Sequence, residues 1–225
     1  MLLYYGVILV AILALFFQAN VTSTFGKYSK IRSSRGYTGA DVARMLLSQN
    51  GITDVSVQPI RGNLTDHYNP VNKTLNLSES VYNSTSVAAL GVAAHETGHA
   101  VQHARMYAPL KMRSALVPVV NFASSIMTWV LLGGILLINS FPQLLLAGII
   151  LFAMTTLFSF ITLPVEINAS KRALVWLSSS GITNSYNHAQ AEDALRSAAY
   201  TYVVAALGSL ATLVYYIMIF MGRRD

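Results

Sequence analysis

Four long apolar runs constrain the fold of this chain more than any other feature of its sequence. They cover residues 2–17, 116–138, 142–164 and 200–221. An α-helix needs roughly 20 residues to cross a bilayer, so the last three runs are long enough and the first is short. Because lipid offers no partner to backbone polar groups, such runs form membrane-spanning helices. The sequence therefore predicts a predominantly α membrane protein with about four transmembrane helices.

Composition supports this class of protein and excludes several others. Hydrophobic residues make up 54% of the 225 residues and charged residues only 11%, against about 25% charged residues in soluble domains. The net charge of +6 needs no nucleic-acid partner, because a membrane protein that contacts anionic lipid accumulates Lys and Arg. Cysteine is absent, which excludes a thiol nucleophile, thiolate metal ligands and disulfides.

The basic residues predict how the chain is oriented. Lys27, Lys30 and Arg32 follow the first apolar run, and the opening MLLYYG carries no positive charge. This favours an uncleaved anchor over the alternative, a cleaved signal peptide. Because Lys and Arg collect on the cytoplasmic side, only Arg223 and Arg224 would lie outside. The predicted segments are an anchor at 1–18, a cytoplasmic lobe at 19–115, a transmembrane hairpin at 116–164, a cytoplasmic segment at 165–199, and a transmembrane helix with its tail at 200–225.

The lobe should combine helices with short strands. Thr38 is a candidate N-cap with Asp41 three residues on, and Gly51 would end that helix. Apolar and polar residues alternate in TDVSVQPI at 53–60 and in KTLNLS at 73–78, which is typical of short strands. We therefore expect a small cytoplasmic α+β lobe.

The segment AAHETGHAVQH at 93–103 carries the chemistry. His95 and His99 stand one turn apart on a helix, where both imidazoles can hold one ion. Glu96 lies beside them and can take a proton from bound water, as in zinc-dependent peptidases. The alternative is an exposed helix face, but three ionisable groups in an apolar helix are costly unless they are paired or bind metal.

The third metal ligand must come from elsewhere in the chain. His103 lies about 12 Å along the helix from His95, too far to share the ion, and is more suited to capping or lining the site. Glu166 follows the third apolar run, and two spans return it to the same membrane face as His99. An ionisable group next to hydrocarbon is a functional candidate. The alternative for Glu166 is an interfacial carboxylate that reaches water.

These residues resemble a known family, the small membrane-bound neutral zinc metallopeptidases of bacteria. The resemblance rests on DHYNP at 66–70, AALGVAAHETGHAVQH at 88–103 and LPVEINASKRAL at 163–174. It implies a zincin-like lobe and one Zn²⁺ bound by His95, His99 and Glu166, with Glu96 catalytic. The family often has aspartate where this chain has Asn168, whose amide could still accept a hydrogen bond from a ligand histidine. More distantly, the arrangement is similar to the CAAX prenyl endopeptidases.

Two further features of the site are hypotheses. A donor should stabilise the oxyanion formed during peptide hydrolysis, and the candidates are Arg172, His188 and Tyr202, which also suit positive-inside charge, a loop histidine and an interfacial aromatic residue. Substrate should lie along an edge strand, for which we expect the residues Thr74, Leu75, Asn76, Leu77 and Ser78.

The sequence thus predicts a zinc metalloendopeptidase of the cell membrane that acts on membrane or membrane-adjacent proteins. Its partners would be a protein or peptide substrate and the lipid bilayer, and its oligomeric state is left open. The alternative is a metal-binding membrane scaffold or regulator without turnover. Glu96 separates the two, because hydrolysis requires it and metal binding does not.

Overall fold

The computed structural model describes residues 2–33, 35–184 and 187–222. Helices account for most of it, which confirms the predicted predominance of α structure. Along the chain the elements are α1 (Leu2–Tyr28), α2 (Gly39–Gln49), β1 (Ser56–Ile60), β2 (His67–Asn69), β3 (Thr74–Ser78), α3 (Glu79–Tyr82), α4 (Val87–Ala104), α5 (Ala108–Leu136), α6 (Pro142–Ser179) and α7 (His188–Met221).

Within the described ranges, α5, α6 and α7 are long and apolar enough to cross a membrane. Large apolar side chains stay exposed on them, such as Trp129 and Leu136 of α5, as expected for a lipid-facing surface. Glycines let α5 and α6 approach closely, since a Cβ on Gly134 would lie 2.5 Å from the Leu145 Cα. Small residues at helix crossings are typical of membrane bundles.

The first apolar run forms part of α1, which continues past the predicted boundary at residue 18 to Tyr28. This helix packs along α7, and the Phe17 and Tyr200 ring centroids are 6.0 Å apart. A fourth span and the cytoplasmic position of the lobe stay predictions. The basic tail residues Arg223 and Arg224 lie outside the described residues.

Most of residues 165–199, predicted as a cytoplasmic segment, belong to the long helices α6 and α7. Helix α6 continues through Pro164 to Ser179, and α7 begins at His188. The helix continues because Val165, Ala169, Ala173 and Leu177 recur every four residues and are all fully buried, which gives the polar stretch an apolar face. Proline inside a long membrane helix is tolerated where neighbouring groups satisfy the freed backbone. Glu166 therefore lies within one continuous helix.

Helix α2 begins as its sequence predicts. The Thr38 side chain accepts a hydrogen bond from the Asp41 backbone N–H at 3.2 Å, and the Asp41 carboxylate accepts one from the Thr38 N–H at 3.0 Å. This reciprocal pair is a capping box. Val42, Leu46 and Leu47 are buried on one face of the helix.

The sheet corrects the prediction for the substrate-binding edge. Its strand order is β1-β3-β2, so the strand Thr74–Ser78 is central. Strand β1 pairs with it in parallel and β2 pairs antiparallel to it. Thr74, Leu75 and Asn76 are therefore paired on both sides and form no free edge. Leu77 and Ser78 lie beyond the pairing with β2 and pair with β1 alone, and the Ser78 N–H bonds to Asp66. The outer strands are β1 and β2.

Helix α4 lies at the centre of the lobe, with one buried cluster on each side. One cluster joins it to α2, α6 and α7, and the other to the sheet. Gly98 brings α4 close to α6, because a Cβ at this position would lie 3.1 Å from both the Cα and the carbonyl oxygen of Ala169. This close approach places Glu166 of α6 beside the histidines of α4.

Candidate metal centre

Helix α4 presents His95 and His99 on one face. The Ser86 side chain caps its start by accepting a hydrogen bond from the Ala89 N–H at 3.2 Å. The rings of His95 and His99 are perpendicular, with centroids 4.8 Å apart. His95, Glu96 and His99 each offer one ligand atom, and these three atoms lie within 4.8 Å of one another. The group could therefore hold a metal ion.

Glu166 completes this group from α6. Its Oε2 lies 3.2 Å from His95 Nε2 and 3.4 Å from His99 Nε2, and the residue is buried. Ligand atoms about 2.0 Å from a tetrahedral zinc ion lie about 3.3 Å from one another. The donor set therefore fits zinc, and the role of Glu166 as a ligand stays a prediction.

Each histidine is oriented by a hydrogen bond at its other nitrogen. His95 Nδ1 lies 3.0 Å from Ser170 Oγ, and His99 Nδ1 lies 3.0 Å from Gln102 Oε1. Because an amide oxygen only accepts, His99 donates from Nδ1 and keeps Nε2 available for a metal. His99 Nε2, which faces Glu166, is therefore free to coordinate, and His95 Nε2 is free in the tautomer that donates from Nδ1 to Ser170.

Gln102 links α4 to α6. Its Nε2 donates to the Val165 carbonyl oxygen at 2.9 Å and to Asn168 Oδ1 at 3.0 Å. Arg172 Nε also donates to Asn168 Oδ1, at 2.8 Å. Asn168 therefore reaches the ligand His99 through Gln102, whereas we expected it to accept directly from a histidine. Arg172 is bound to Asn168, which leaves it a poor candidate for the oxyanion.

Sequence reasoning missed Gln102, although one signal was available. The residue lies three positions after His99, on the same side of the helix, and is fully buried. A buried amide needs hydrogen-bond partners, and its neighbour on this face of the helix is His99, a predicted metal ligand. The partners on α6 are 63 and 66 residues away, so local pattern could not identify them.

Glu96 points away from the Gln102 network and is held by strand β2. Its Oε2 accepts a hydrogen bond from the Tyr68 backbone N–H at 3.1 Å. The Tyr68 hydroxyl lies 2.8 Å from His103 Nδ1, so His103 supports the strand that holds Glu96. His188 is 2.9 Å from Thr183 in the loop before α7 and is not among the residues around the site.

Two cavities meet above Glu96. The first, of about 180 Å³, is polar and is lined by Glu96, His99, Glu166, Tyr202 and Arg113 among others. The second, of about 230 Å³, also includes Glu96 and Tyr202, and is otherwise largely apolar. Its apolar wall comes from α1, α4 and α7, through Val21, Val92, Leu195, Ala198 and Ala199, and its polar lining includes His95 and Ser170. Of the oxyanion candidates, Tyr202 alone lines both cavities.

The site has a marked negative character. Burial lowers the pKa of His99, but its hydrogen bond to Glu166 and the charge of Glu96 outweigh burial and raise this pKa to about 9. The field that favours a proton there also favours a divalent cation. Burial raises the pKa of Asp66 despite two hydrogen bonds from Ser78.

Comparison with known proteins agrees with this donor set. Residues 3–221 match the family model described as “Putative neutral zinc metallopeptidase”. A relative from Bacillus subtilis (strain 168), named “Putative membrane protease YugP”, is 47% identical over 208 residues, which cover 92% of each chain. No solved structure matches the chain. The family match covers nearly the whole chain, including His95, His99 and Glu166, and the protein therefore belongs to this family of neutral zinc metallopeptidases.

Proposed function

We propose that the protein is a membrane-integrated zinc metalloendopeptidase that uses one Zn²⁺ held by His95, His99 and Glu166. One observation carries the proposal: the Glu166 carboxylate meets both histidine Nε2 atoms at 3.2 and 3.4 Å, beside the carboxylate of Glu96. Two imidazoles and a glutamate are a recurrent ligand set of catalytic zinc.

Zinc supplies the Lewis acid that polarises the peptide carbonyl and lowers the pKa of an attacking water molecule. Glu96 accepts the proton of that water and then delivers it to the nitrogen of the leaving amine. The Tyr68 N–H holds Glu96 Oε2, which leaves Oε1 for the proton. Tyr202 lines the cavity beside Glu96 and Glu166, from which its hydroxyl donates to the developing oxyanion.

Membrane proteins or membrane-adjacent segments are the substrates that suit this site. The apolar cavity reaches Glu96 from between α1 and α7, and α7 is apolar enough to cross a membrane. An apolar segment could enter there without leaving the lipid boundary.

Strand β2 replaces β3 as the proposed substrate edge. The Tyr68 N–H bonds to Glu96 and not to β3, so this residue faces the site with its backbone. An extended peptide beside β2 would pass directly over Glu96.

Substitution of Glu96 tests the mechanism against a scaffold without turnover. We expect Glu96→Gln to keep its zinc and to cut an unfolded test protein at least 100-fold more slowly, because general-base catalysis contributes about 10²–10⁴-fold. Glu79→Gln, at an exposed glutamate of α3, is the matched control. Full activity of Glu96→Gln with zinc bound would eliminate the proposed peptidase.

We also propose that the lobe lies on the cytoplasmic side of a multi-pass protein in the cell membrane. The absence of native cysteine allows single cysteines to be placed at Val71, which is 92% exposed, and at Ser140 in the α5–α6 turn. A membrane-impermeant maleimide should label Ser140→Cys in intact cells and Val71→Cys only after lysis. The opposite labelling would reverse the orientation without affecting the chemistry.

A further inference from the structure

Arg113 of α5 lies at the candidate active site, and among the described residues no hydrogen bond or ion pair holds its guanidinium. It lines the polar cavity together with Glu96, His99 and Glu166. Its Nε is buried and makes no hydrogen bond. In the part of the chain that the structure describes, none of the ion pairs includes Arg113. A buried donor of this kind is costly to leave unsatisfied, so it calls for a ligand.

The acidic groups of the same cavity make their contacts with other residues. Glu166 Oε2 faces the two histidines, Glu96 accepts from the Tyr68 N–H, and Asp66 accepts from the backbone and hydroxyl of Ser78. The guanidinium is therefore not held by the protein's own carboxylates. It is a cationic group of this cavity that remains available to a carboxylate.

Arg172 differs from Arg113 in both respects. Its Nε donates a hydrogen bond to Asn168, and it does not line the polar cavity. Of these two arginines, Arg113 is the one that a bound peptide would meet.

We propose that Arg113 binds a carboxylate of the peptide substrate and thereby determines specificity, an inference that rests on the proposed peptidase function. The planar guanidinium presents parallel N–H donors that match both oxygens of a carboxylate. In a peptide, this group is either the side chain of Asp or Glu or the C-terminal α-carboxylate. The first source gives an endopeptidase selective for acidic residues, and the second favours cleavage near a C-terminus.

Peptide binding to the full-length Glu96→Gln protein tests this inference without turnover. Four labelled peptides share one sequence and carry either Asp or Asn in the middle, each with a free or an amidated C-terminus. We expect Kd to be about 10- to 100-fold lower for peptides with the recognised carboxylate, the range of a charge-assisted hydrogen bond. The Asp/Asn and acid/amide comparisons identify its source. Moving the Asp residue along the peptide then locates its position.

Variants at Arg113 complete the test. Arg113→Gln should abolish the preference for carboxylate-bearing peptides and leave the Kd of the uncharged peptide unchanged. Arg113→Lys keeps the positive charge but loses the parallel N–H donors of the guanidinium, so it should retain part of that preference. Lys111→Gln removes an exposed charge from the same helix and should change neither value. Zinc content is measured for every variant.

Three results would overturn the inference. Equal affinity for charged and uncharged peptides would show that no carboxylate is recognised. An equal fall in kcat for all peptides in the Arg113→Gln enzyme, with unchanged binding, would assign Arg113 to the scissile carbonyl. Loss of zinc without loss of discrimination would make it a support of the metal site. Failure of the proposed function is separate, because it shows as absent cleavage while peptide binding to the Glu96→Gln protein persists.

Discussion

Gln102 Oε1 accepts a hydrogen bond from His99 Nδ1 at 3.0 Å while the amide nitrogen of the same side chain is bound to α6. One fully buried glutamine thus sets both the tautomer of a proposed ligand and its position relative to the helix that carries Glu166. Groups that orient metal ligands in this way are part of the site's chemistry as much as the ligands are.

Replacement of this glutamine should weaken metal binding. We expect Gln102→Leu to lower zinc affinity about 10- to 100-fold, the usual effect of losing a group that orients a ligand histidine. Competition with a zinc-binding dye measures this directly. Gln58→Leu, at an exposed position of β1, controls for the change of side chain. Equal zinc affinity of the Gln102→Leu and original proteins would contradict this role.

The close approach of α4 and α6 should be equally important for the site. Gly98→Val would force a branched side chain against the backbone of Ala169, where even a Cβ lies at 3.1 Å. We expect a loss of about 1–3 kcal/mol in unfolding free energy and weaker zinc binding, because Glu166 moves away from the histidines. Denaturant unfolding in detergent measures the first effect.

Gly91 provides the control for this substitution, since a Cβ there meets only Leu195 at an ordinary 3.7 Å. Gly91→Ala should keep zinc binding and stabilise the helix by up to about 1 kcal/mol. A Gly98→Val protein as stable and as zinc-bound as Gly91→Ala would show that the helices do not need their present spacing.

Tyr202 should affect turnover more than binding. If its hydroxyl donates to the oxyanion, Tyr202→Phe lowers kcat roughly 10²- to 10³-fold with little change in KM, because the interaction exists only in the transition state. Zinc content and peptide affinity should be unchanged. Tyr200→Phe, two residues earlier on α7, is the matched control. A rise in KM alone would instead indicate that Tyr202 positions substrate.

Removal of metal should abolish activity and leave the fold largely intact. The two buried clusters around α4 consist of apolar side chains and do not depend on the ion. We expect a chelator to stop cleavage and lower Tm, with helical circular dichroism nearly unchanged at 25 °C and activity restored by zinc. Bound metal stabilises by mass action. Complete unfolding after chelation would show that the metal maintains the lobe.

The parts of the site that sequence could predict are those set by local spacing. The four-residue interval of His95 and His99 fixes their shared face, and the Thr38–Asp41 interval fixes the start of α2. Glu166 was accessible because acidic residues are rare in the chain and an even number of predicted spans returns it to the same face. These inferences use the regular geometry of the α-helix and the free-energy cost of placing a charge next to hydrocarbon, and both can be applied to a single sequence.

The parts that could not be predicted depend on contacts between distant segments. Alternation in Thr74–Ser78 indicates a strand but not its neighbours, so its central place in the sheet was missed. The Tyr68 N–H that holds Glu96 is a backbone group with no sequence signature. Arg113 carries no local sequence signal of a site residue, because its place in the polar cavity depends on how α5 packs against the lobe.

The continuity of α6 has a mechanical consequence. Glu166 lies 24 residues after Pro142 within one helix, which is about 36 Å at a rise of 1.5 Å per residue. A hydrocarbon layer is about 30 Å thick, so if α6 crosses a bilayer upright from Pro142, the carboxylate stands just beyond it. The thickness of the bilayer would then set the position of Glu166. A thicker or thinner bilayer that changes the tilt of α6 would shift Glu166 relative to His95 and His99 of α4.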